Sequence, residues 1–280
     1  MKSAEILLVS FTILNIISYT AASATTNASD FDFDFSGYRN IAKLLVIDCN
    51  VQDLHKKINH FLGGVKGAIQ QPHNSENISH ITCVDDPYMG KAINLTLYKM
   101  DDPPKRAHMQ RLELKAVNRS KSLSAHRNDD NIYSWWFQLD PLLTSESEQF
   151  SIFTLKGEGH HSSLASFNMN KKLGLFLRVA ANNTQKYPLA PLSAVRGTWI
   201  QAFVQVFYAE VAGFIRVILK DTMGNQLFPT ANQTGVFLVD TFHPEWKSVK
   251  PRWGLNRKVS PDYPNVEYQL LQNLQVWKKI

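Results

Sequence analysis

Residues 198–220, TWIQAFVQVFYAEVAGFIRVILK, carry the strongest fold signal in the chain. Their first half, Trp199 to Phe207, is apolar on both faces of an extended chain, which is typical of a central strand. Gly213 interrupts the run, and a second apolar segment then extends from Phe214 to Lys220 before the turn residues 221–224. This pattern predicts a β-meander.

The two-residue period of a half-buried strand continues on both sides of this stretch. Strand-like runs occupy residues 93–98, 111–116, 133–139, 150–156, 172–178 and 270–277. Nearer the N-terminus, residues 44–47 predict a short strand, and residues 53–62 predict a helix that ends at Gly63–Gly64. Many short strands with few long helices predict an all-β fold, a β-jelly-roll sandwich with a few short helices.

The N-terminal residues predict export from the cell. Lys2 precedes an apolar run that reaches Ile17, and small residues follow at 21–24. This order is typical of a cleavable signal peptide over residues 1–24, and the run is too short and too interrupted for a bilayer span. We therefore expect a secreted, extracellular protein without membrane association after cleavage. Polar, acidic residues 25–40 predict a flexible leader, and residues 41–280 predict a single domain.

Cysteine and sequon content agrees with export. The only two cysteines, Cys49 and Cys83, are expected to form a disulfide in an oxidising compartment. Because an attached glycan must sit on the surface, the sequons favour exposed loops. Besides a sequon at Asn27, they predict glycosylation at Asn77, Asn94, Asn118, Asn182 and Asn232.

The formal net charge of +6 favours a polyanionic partner, such as a uronate polymer, nucleic acid or anionic lipid. Basic stretches interleaved with aromatic residues, as in nucleic-acid modules, are not found, so nucleic acid is not predicted. The acidic pairs at 85–86, 101–102 and 129–130 could bind calcium, but turn chemistry is the simpler explanation. We expect the protein to be a monomer and to carry neither a metal nor a cofactor.

Four motifs occur in an order that resembles a known enzyme group: YSWWFQLD at 133–140, FSIFTLKG at 150–157, GTW at 197–199 and PRWGLNR at 251–257. Together they resemble heparinase-I-like and glucuronan-lyase-like polysaccharide lyases, especially secreted fungal relatives, over roughly residues 91–280. The resemblance implies a concanavalin-A-like β-jelly roll and cleavage of a uronate polysaccharide by β-elimination. It also implies an acidic polysaccharide as the partner.

That elimination has clear chemical requirements. The site must neutralise the uronate carboxylate, remove the C5 proton and protonate the departing glycosidic oxygen. In the relatives, an amide side chain, a His and a Tyr share this work on the concave face of a sheet. This chain has Thr154 where relatives commonly have Gln, and Asn256 where they have Tyr.

The resemblance and the strand period together name the candidate catalytic residues as Lys156, Thr154 and Asn256. Lys156 lies two residues beyond Thr154, hence on the same strand face. It could neutralise a carboxylate, or act as a base if burial lowers its pKa. The substitutions at 154 and 256 leave a second interpretation open, namely a catalytically inactive glycan-binding or host-interaction protein on the same scaffold.

The candidate substrate-binding residues are Arg111, Glu113, Trp136 and Arg257. Arg111 and Glu113 project from one strand face and match an Arg-x-Glu pair of the family, although a solvated ion pair fits equally well. Arg257 could bind a carboxylate in a bidentate manner, or pair with Asp240 or Glu267.

Two further pairs of neighbouring residues, one of tryptophans and one of histidines, are candidates for contact with the substrate. Trp135 and Trp136 point to opposite faces, so one is expected in the core while the other could stack on a sugar. The pair His160–His161 follows the motif at 150–157 and could supply a base, or lie exposed to solvent.

Overall fold

The computed structural model describes residues 33–46, 49–64, 67–72, 79–99, 109–117, 120–143, 150–159, 163–180, 184–227, 235–258 and 266–280. The predicted signal peptide and the leader up to residue 32 lie outside these ranges. So do His160–His161 and the predicted glycosylation sites Asn77, Asn118, Asn182 and Asn232.

Sixteen strands and two helices form from the described residues, together with a 3-10 turn at Lys121–Leu123. In chain order they are β1 Tyr38–Leu44, α1 Val51–Phe61, β2 Ile69–Gln70, β3 Ile81–Asp86, β4 Gly90–Tyr98, β5 Met109–Lys115, β6 Asp130–Leu139, β7 Phe150–Gly157, β8 Ser163–Asn170, β9 Gly174–Val179, β10 Gln185–Ala190, α2 Leu192–Val195, β11 Trp199–Phe207, β12 Phe214–Lys220, β13 Gln226–Leu227, β14 Val236–Leu238, β15 Val249–Lys258 and β16 Val266–Lys279.

The strands form two antiparallel sheets. Sheet A has the order β13-β12-β11-β6-β16-β4-β3, with β1 also paired to β16 and β14 to β12. Sheet B has the order β10-β9-β8-β7-β15-β5-β2. The predicted all-β sandwich with a few short helices is therefore confirmed.

Aromatic side chains from both sheets fill the space between them. Trp135 of sheet A packs on Phe153 of sheet B with ring centroids 4.4 Å apart, and Phe153 in turn contacts Phe167 and Trp253. Each of these side chains is almost fully buried. Burial of one large apolar side chain stabilises a fold by about 1.5–3 kcal/mol, so this cluster holds the sheets face to face.

The predicted meander is confirmed. β11 pairs antiparallel with β12 from Gln201 opposite Lys220 to Phe207 opposite Phe214. On its other side β11 pairs with β6 along its whole length. Its inward residues lie in the core, and its outward residues Trp199 and Phe203 are covered by neighbouring side chains, Phe203 by Phe33, which explains the apolar residues on both faces.

The N-terminal helix and the disulfide also agree with the sequence. The Asn50 side chain accepts hydrogen bonds from the backbone N–H groups of Gln52 and Asp53, which caps α1. Cys49 and Cys83 form the predicted disulfide, which ties the start of α1 to β3. Neither described helix has the length and apolar character needed to cross a membrane.

The N-terminal boundary differs from the prediction. β1 occupies residues 38–44 rather than 44–47, and the folded unit begins at Phe33, ahead of the predicted boundary at 41. Phe33 packs on Phe203, and Phe35 packs on Trp277 with ring centroids 4.9 Å apart. Phe33 and Phe35 are therefore structural, because their side chains cover part of sheet A.

Candidate functional site

A groove of about 490 Å³ lies on the outer face of sheet B. Six strands line it, in the spatial order β5, β15, β7, β8, β9 and β10. Because directly opposed residues of neighbouring strands point to the same face, the strand register arranges the lining side chains in rows across the sheet.

One row crosses the groove from end to end. Arg252 lies opposite Thr154, Thr154 opposite Ser166, Ser166 opposite Arg178, and Arg178 opposite Lys186. At the β5 end the row continues to Lys115, which lies opposite Arg252 just outside the groove lining. We call these six residues the central row: Lys115, Arg252, Thr154, Ser166, Arg178 and Lys186.

A second, shorter row runs beside it. Arg111 lies opposite Asn256, Asn256 opposite Ser151, and Ser151 opposite Asn168. All four residues line the groove. This row carries a cation only at its β5 end and amide or hydroxyl groups elsewhere.

An irregularity in β7 brings both rows onto one face. The register shifts between Ser151 and Phe153, so Ser151 and Thr154 both face the groove although they are three residues apart. Phe153 points into the core at 2% exposure. Beyond the shift, the normal alternation places Lys156 on the same face as Thr154, as the sequence predicts.

Gly254 allows β15 and β5 to approach each other beneath the groove. Its φ of +128° is a conformation that side chains disfavour, and a Cβ at this position would lie 2.2 Å from the Leu112 carbonyl oxygen. On either side of it, Arg252 and Asn256 point into the groove. The WGLNR motif therefore combines a tight backbone contact with two polar groove residues.

The groove is strongly cationic. Five cationic side chains line it (Arg111, Lys156, Arg178, Lys186 and Arg252), against the single carboxylate of Glu113 among the described residues. That carboxylate is buried and lies 3.4 Å from Arg252 Nη1. The groove therefore favours an anionic ligand.

Lys156 has an altered proton affinity. Burial lowers its pKa first, and the charges of Arg252 and Arg111 lower it further, while Glu113 opposes them. The pKa of Lys115 is also lowered, first by burial and then by the charge of Arg252. A larger fraction of Lys156 is thus neutral near physiological pH than for an ordinary lysine.

At the end of the groove, a second lysine has a different environment. Lys250 lies directly opposite Lys156 on β15. Its ammonium group donates to Glu158 at 2.5 Å, and Ser248 donates to the same carboxylate oxygen at 2.7 Å. These hydrogen bonds lower the pKa of Glu158, with the bond from Lys250 as the largest cause.

Five predicted site residues come together in this groove: Lys156, Thr154, Asn256, Arg111 and Glu113. Asn256 Oδ1 is buried and finds no hydrogen-bond partner within the described ranges. An amide in this state can still accept a hydrogen bond from a ligand.

Arg257 is not part of the groove, so its prediction as a substrate-binding residue is wrong. It shares the inward parity of Trp253 and Leu255 and is completely buried. Its guanidinium group pairs with Glu267 of sheet A, and its Nε donates to Gln110 at 2.7 Å. Of the two structural partners that the sequence allowed, Glu267 is the one observed.

The prediction of Trp136 as a substrate-binding residue of the groove is also wrong. Its parity is as expected, because Trp135 lies in the core, but β6 belongs to sheet A. Trp136 therefore lies on the outer face of the other sheet, in a small apolar cluster with Trp199, Leu270 and Tyr268. It does not contact the groove.

Neither a histidine nor a tyrosine is found among the described residues that line the groove. Tyr208 lies in the core, where its hydroxyl is 2.8 Å from that of Tyr133. Burial raises the pKa of Tyr133 to about 12 and that of Tyr208 well above the usual value. Tyr268 lies on the outer face of sheet A.

The acidic pairs at 85–86 and 129–130 act as turn and ion-pair residues, whereas the pair at 101–102 lies outside the described residues. Asp85 pairs with Lys91, and Asp86 accepts from the backbone of Tyr88 and Met89. Asp129 binds Lys278 at 2.7 Å. Within the described ranges, no three His, Cys, Asp or Glu side chains are grouped to hold a metal ion.

Asn94 is the predicted glycosylation site that falls within the described residues. It lies in β4 and is half-buried rather than in an exposed loop, so the loop expectation is wrong at this position. Thr96 Oγ1 donates to Asn94 Oδ1 at 3.2 Å. Asn94 lies opposite Leu270, on the outer face of sheet A and away from the groove.

The sequence predictions missed several groove residues, namely Arg252, Arg178, Lys186, Ser166, Asn168 and Ser151. For Arg252 a signal was present, because it shares the parity of Asn256 in the same motif. Arg178 ends a strand that was predicted, but its face was not assigned. β8 and β10 were not predicted at all, so Ser166, Asn168 and Lys186 had no strand to be placed on.

Neither a protein-family model nor a curated protein sequence matches this chain. Solved structures do match its fold. A marine PL-14 alginate lyase from Aplysia kurodai gives a TM-score of 0.53 at 10% identity, covering 85% of this chain and 98% of that one. The alginate lyase from Klebsiella pneumoniae gives 0.52 at 10% identity, covering 74% and 93%.

A variant of the family 7 alginate lyase A1-II′, crystallised in complex with substrate, gives a TM-score of 0.52 at 12% identity, covering 76% of this chain and 92% of that one. At these identities the likeness establishes a shared fold. The predicted β-jelly roll is therefore confirmed.

Proposed function

We propose that this chain is a polysaccharide-lyase-like protein that binds an acidic, uronate-containing polysaccharide in the groove of sheet B and cleaves it by β-elimination. The observation that carries the proposal is the groove lining itself, in which five cations and one buried carboxylate surround a floor of hydroxyl and amide groups. Polysaccharide lyases of the same fold, one of them crystallised with its substrate, support this assignment.

The lining suits both parts of a uronate. Arginine side chains bind carboxylates through paired N–H donors, and Arg252 and Arg111 flank the groove at its β5 end. Hydroxyl and amide side chains exchange hydrogen bonds with sugar hydroxyls. Ser151, Thr154, Ser166 and Asn168 form such a floor, each between 5% and 7% exposed.

For the elimination step, Arg252 and Arg111 neutralise the carboxylate and thereby make the C5 proton more acidic. Neutral Lys156 takes that proton, the electron pair forms the C4–C5 double bond, and the C4–O bond breaks. The departing oxygen takes a proton from the Lys156 ammonium group or from water. Thr154 and Asn256 hydrogen-bond to the carboxylate as its charge spreads.

Two observations support Lys156 as the base. It faces the groove beside Thr154, and its pKa is lowered by burial and by Arg252 and Arg111. A base with a pKa nearer to the working pH combines the correct protonation state with proton affinity.

A second candidate function is binding without turnover. It is favoured by the lack of a histidine or tyrosine among the described groove residues, since Tyr and His are common proton donors in catalysis. In that case the groove holds the polymer, and cleavage products do not form.

We also propose that the protein acts outside the cell as a monomer. The signal-peptide pattern of residues 1–24, the sequons and the Cys49–Cys83 disulfide support export. Secretion by a eukaryotic host with loss of the first 24 residues, read by N-terminal sequencing, tests this point. Intracellular retention of the uncleaved chain would contradict it.

The functional test combines binding and turnover on glucuronan, heparin-like and alginate-like polymers. Calorimetry measures binding, and ultraviolet absorbance of the unsaturated uronate measures elimination. The lyase is supported by a product that Lys156→Met abolishes while binding persists. Binding without product supports the second candidate, and absence of both refutes the proposal.

The control for charge loss is Lys43→Met. Lys43 is exposed on β1 of sheet A and lies outside the groove. This variant removes the same charge as Lys156→Met, so we expect it to bind and cleave like the unchanged protein.

A further inference from the structure

We propose that Arg178 and Lys186, at the β9–β10 end of the groove, form a second cationic subsite that holds the same polysaccharide chain as Arg252, so that the polymer runs across the strands. This inference rests on the proposed function and specifies how the groove binds its ligand. It predicts that the protein selects for chain length and for carboxylates on sugars several positions apart.

The first observation is the symmetry of charge along the central row. At one end, Lys115 lies directly opposite Arg252, and at the other end Arg178 lies directly opposite Lys186. Thr154 and Ser166 lie between the two pairs, directly opposite each other. The row is therefore cationic at both ends and hydroxyl-bearing in the middle.

The second observation is that both end pairs have like charges. Like charges directly opposite each other destabilise an antiparallel sheet, because their side chains approach closely. At the β5 end, the Glu113 carboxylate already lies 3.4 Å from Arg252 Nη1. At the β9–β10 end, an anion held between Arg178 and Lys186 lowers their mutual repulsion, and a polyanionic chain that reaches both ends of the row supplies one there.

The third observation is distance. Neighbouring strands lie about 4.8 Å apart, so Arg252 and Arg178, separated by three strand spacings, are about 14 Å apart along the row. One sugar residue is too short to contact both. The groove therefore suits a chain of several sugars with carboxylates near both ends of the bound stretch.

The shorter row also supports a second cationic subsite at Arg178 and Lys186. Arg111 supplies its only cation, again at the β5 end. Among the described residues that line the groove, Arg178 and Lys186 are thus the cations of the β9–β10 end. A ligand with acidic groups along its whole length meets both ends, whereas a glycan with one terminal acid meets only one.

The test uses the double variant Arg178→Gln/Lys186→Gln and two oligomers, a disaccharide and a hexasaccharide of a polyuronate. Glutamine keeps length and hydrogen bonding while it removes the charge. We expect affinity for the hexasaccharide to fall about tenfold or more, and affinity for the disaccharide to change less than about twofold.

The control is Lys43→Gln/Lys56→Gln, which removes the same charge from exposed positions on β1 and α1. It should leave the affinity for both oligomers unchanged. A melting temperature equal to that of the unchanged protein would show that the Arg178→Gln/Lys186→Gln variant is folded, and a higher one would show that a like-charge repulsion has been relieved.

The outcomes separate this inference from the proposed function. Equal losses for both oligomers, or no loss for either, would overturn the second subsite while the groove remains a polysaccharide site. Equal affinity of the unchanged protein for the two oligomers would also overturn it. If the unchanged protein binds neither oligomer, the proposed function falls, and the subsite falls with it.

Discussion

Sheet A and sheet B each turn one face away from the core, and the two outer faces differ in the side chains that they carry. On sheet A, Trp199 and Leu270 are only 2% and 7% exposed, beside Trp136 and Tyr268. Farther along the same face, Phe33 and Phe35 lie over Phe203 and Trp277. On sheet B, cations and hydroxyl groups occupy the equivalent outward positions.

The comparison shows how one backbone pattern supports two surfaces. Both faces follow the same two-residue alternation, so the period alone does not distinguish them. The difference lies in the outward residues. On sheet A, aromatic and aliphatic side chains cover parts of the face beside polar residues such as Asn94, Gln205 and Arg216, whereas cations, hydroxyls and amides line the groove of sheet B. We therefore assign ligand chemistry to sheet B and a covering role to the outer face of sheet A.

The largest expected effect concerns Lys156. A positioned general base contributes about 10²–10⁴-fold to a rate, so Lys156→Met should lower kcat/KM for polymer cleavage by that order. Lys156→Arg should be equally inactive, because a guanidinium group does not release its proton at accessible pH. Initial rates of unsaturated product formation measure both. Activity in Lys156→Arg would exclude Lys156 as the base and reduce it to a charge contact.

A second test changes the support beneath the groove. Gly254→Ala places a Cβ 2.2 Å from the Leu112 carbonyl oxygen at a φ of +128°. We expect the free energy of unfolding to fall by about 2–4 kcal/mol, measured by urea denaturation.

Gly224→Ala is the matched control for this change. Gly224 has a φ of +83° but no atom within 4 Å of the added Cβ, so only the backbone strain remains. It should cost about 1 kcal/mol. Equal losses of unfolding free energy for the two variants would mean that the close contact between β15 and β5 at Gly254 adds nothing to the cost of the backbone strain.

The pH dependence should reveal the altered lysine. Because burial and Arg252 lower the pKa of Lys156, its neutral fraction at a given pH exceeds that of a free lysine. Below that pKa, the rate of elimination should rise about tenfold per pH unit and then level off as the lysine becomes fully neutral. Profiles of kcat/KM from neutral to alkaline pH measure it. A rate that falls with rising pH over this range would contradict the role of neutral Lys156.

The smallest expected effect lies on sheet A. Trp136→Ala removes an aromatic side chain from its outer face and should change polymer affinity by less than about twofold, since Trp136 lies away from the groove. Calorimetry on the same polyuronate measures it. A large loss of affinity would mean that sheet A also binds the ligand, and the contrast between the two faces would disappear.

The sequence was sufficient for much of the fold. Alternation located the β11–β12 hairpin and placed Thr154 and Lys156 on one strand face, and the stop at Gly63–Gly64 located the end of α1. β8 was missed because SLASFNMN mixes small and polar residues and gives no clear apolar face. β1 was misplaced because its residues YRNIAKL alternate weakly.

The site was less predictable, for physical reasons that differ between residues. For Trp136 the parity was right, but parity does not reveal which sheet a strand joins. Arg257 pairs with Glu267 across the two sheets, and the partner that neutralises a buried charge is set by packing. The central row depends on the register of six strands, and register is a property of the assembled sheet.

The like-charge pairs at the two ends of the central row make the groove sensitive to salinity. Charges interact in solution over a screening length of about 10 Å at 0.1 M salt and about 30 Å at 0.01 M. The roughly 14 Å between Arg252 and Arg178 lies between these two lengths. At low ionic strength the electrostatic potentials of the two ends overlap and together attract an anionic polymer from a distance. At higher ionic strength the potentials are screened from each other, and each end binds a carboxylate independently.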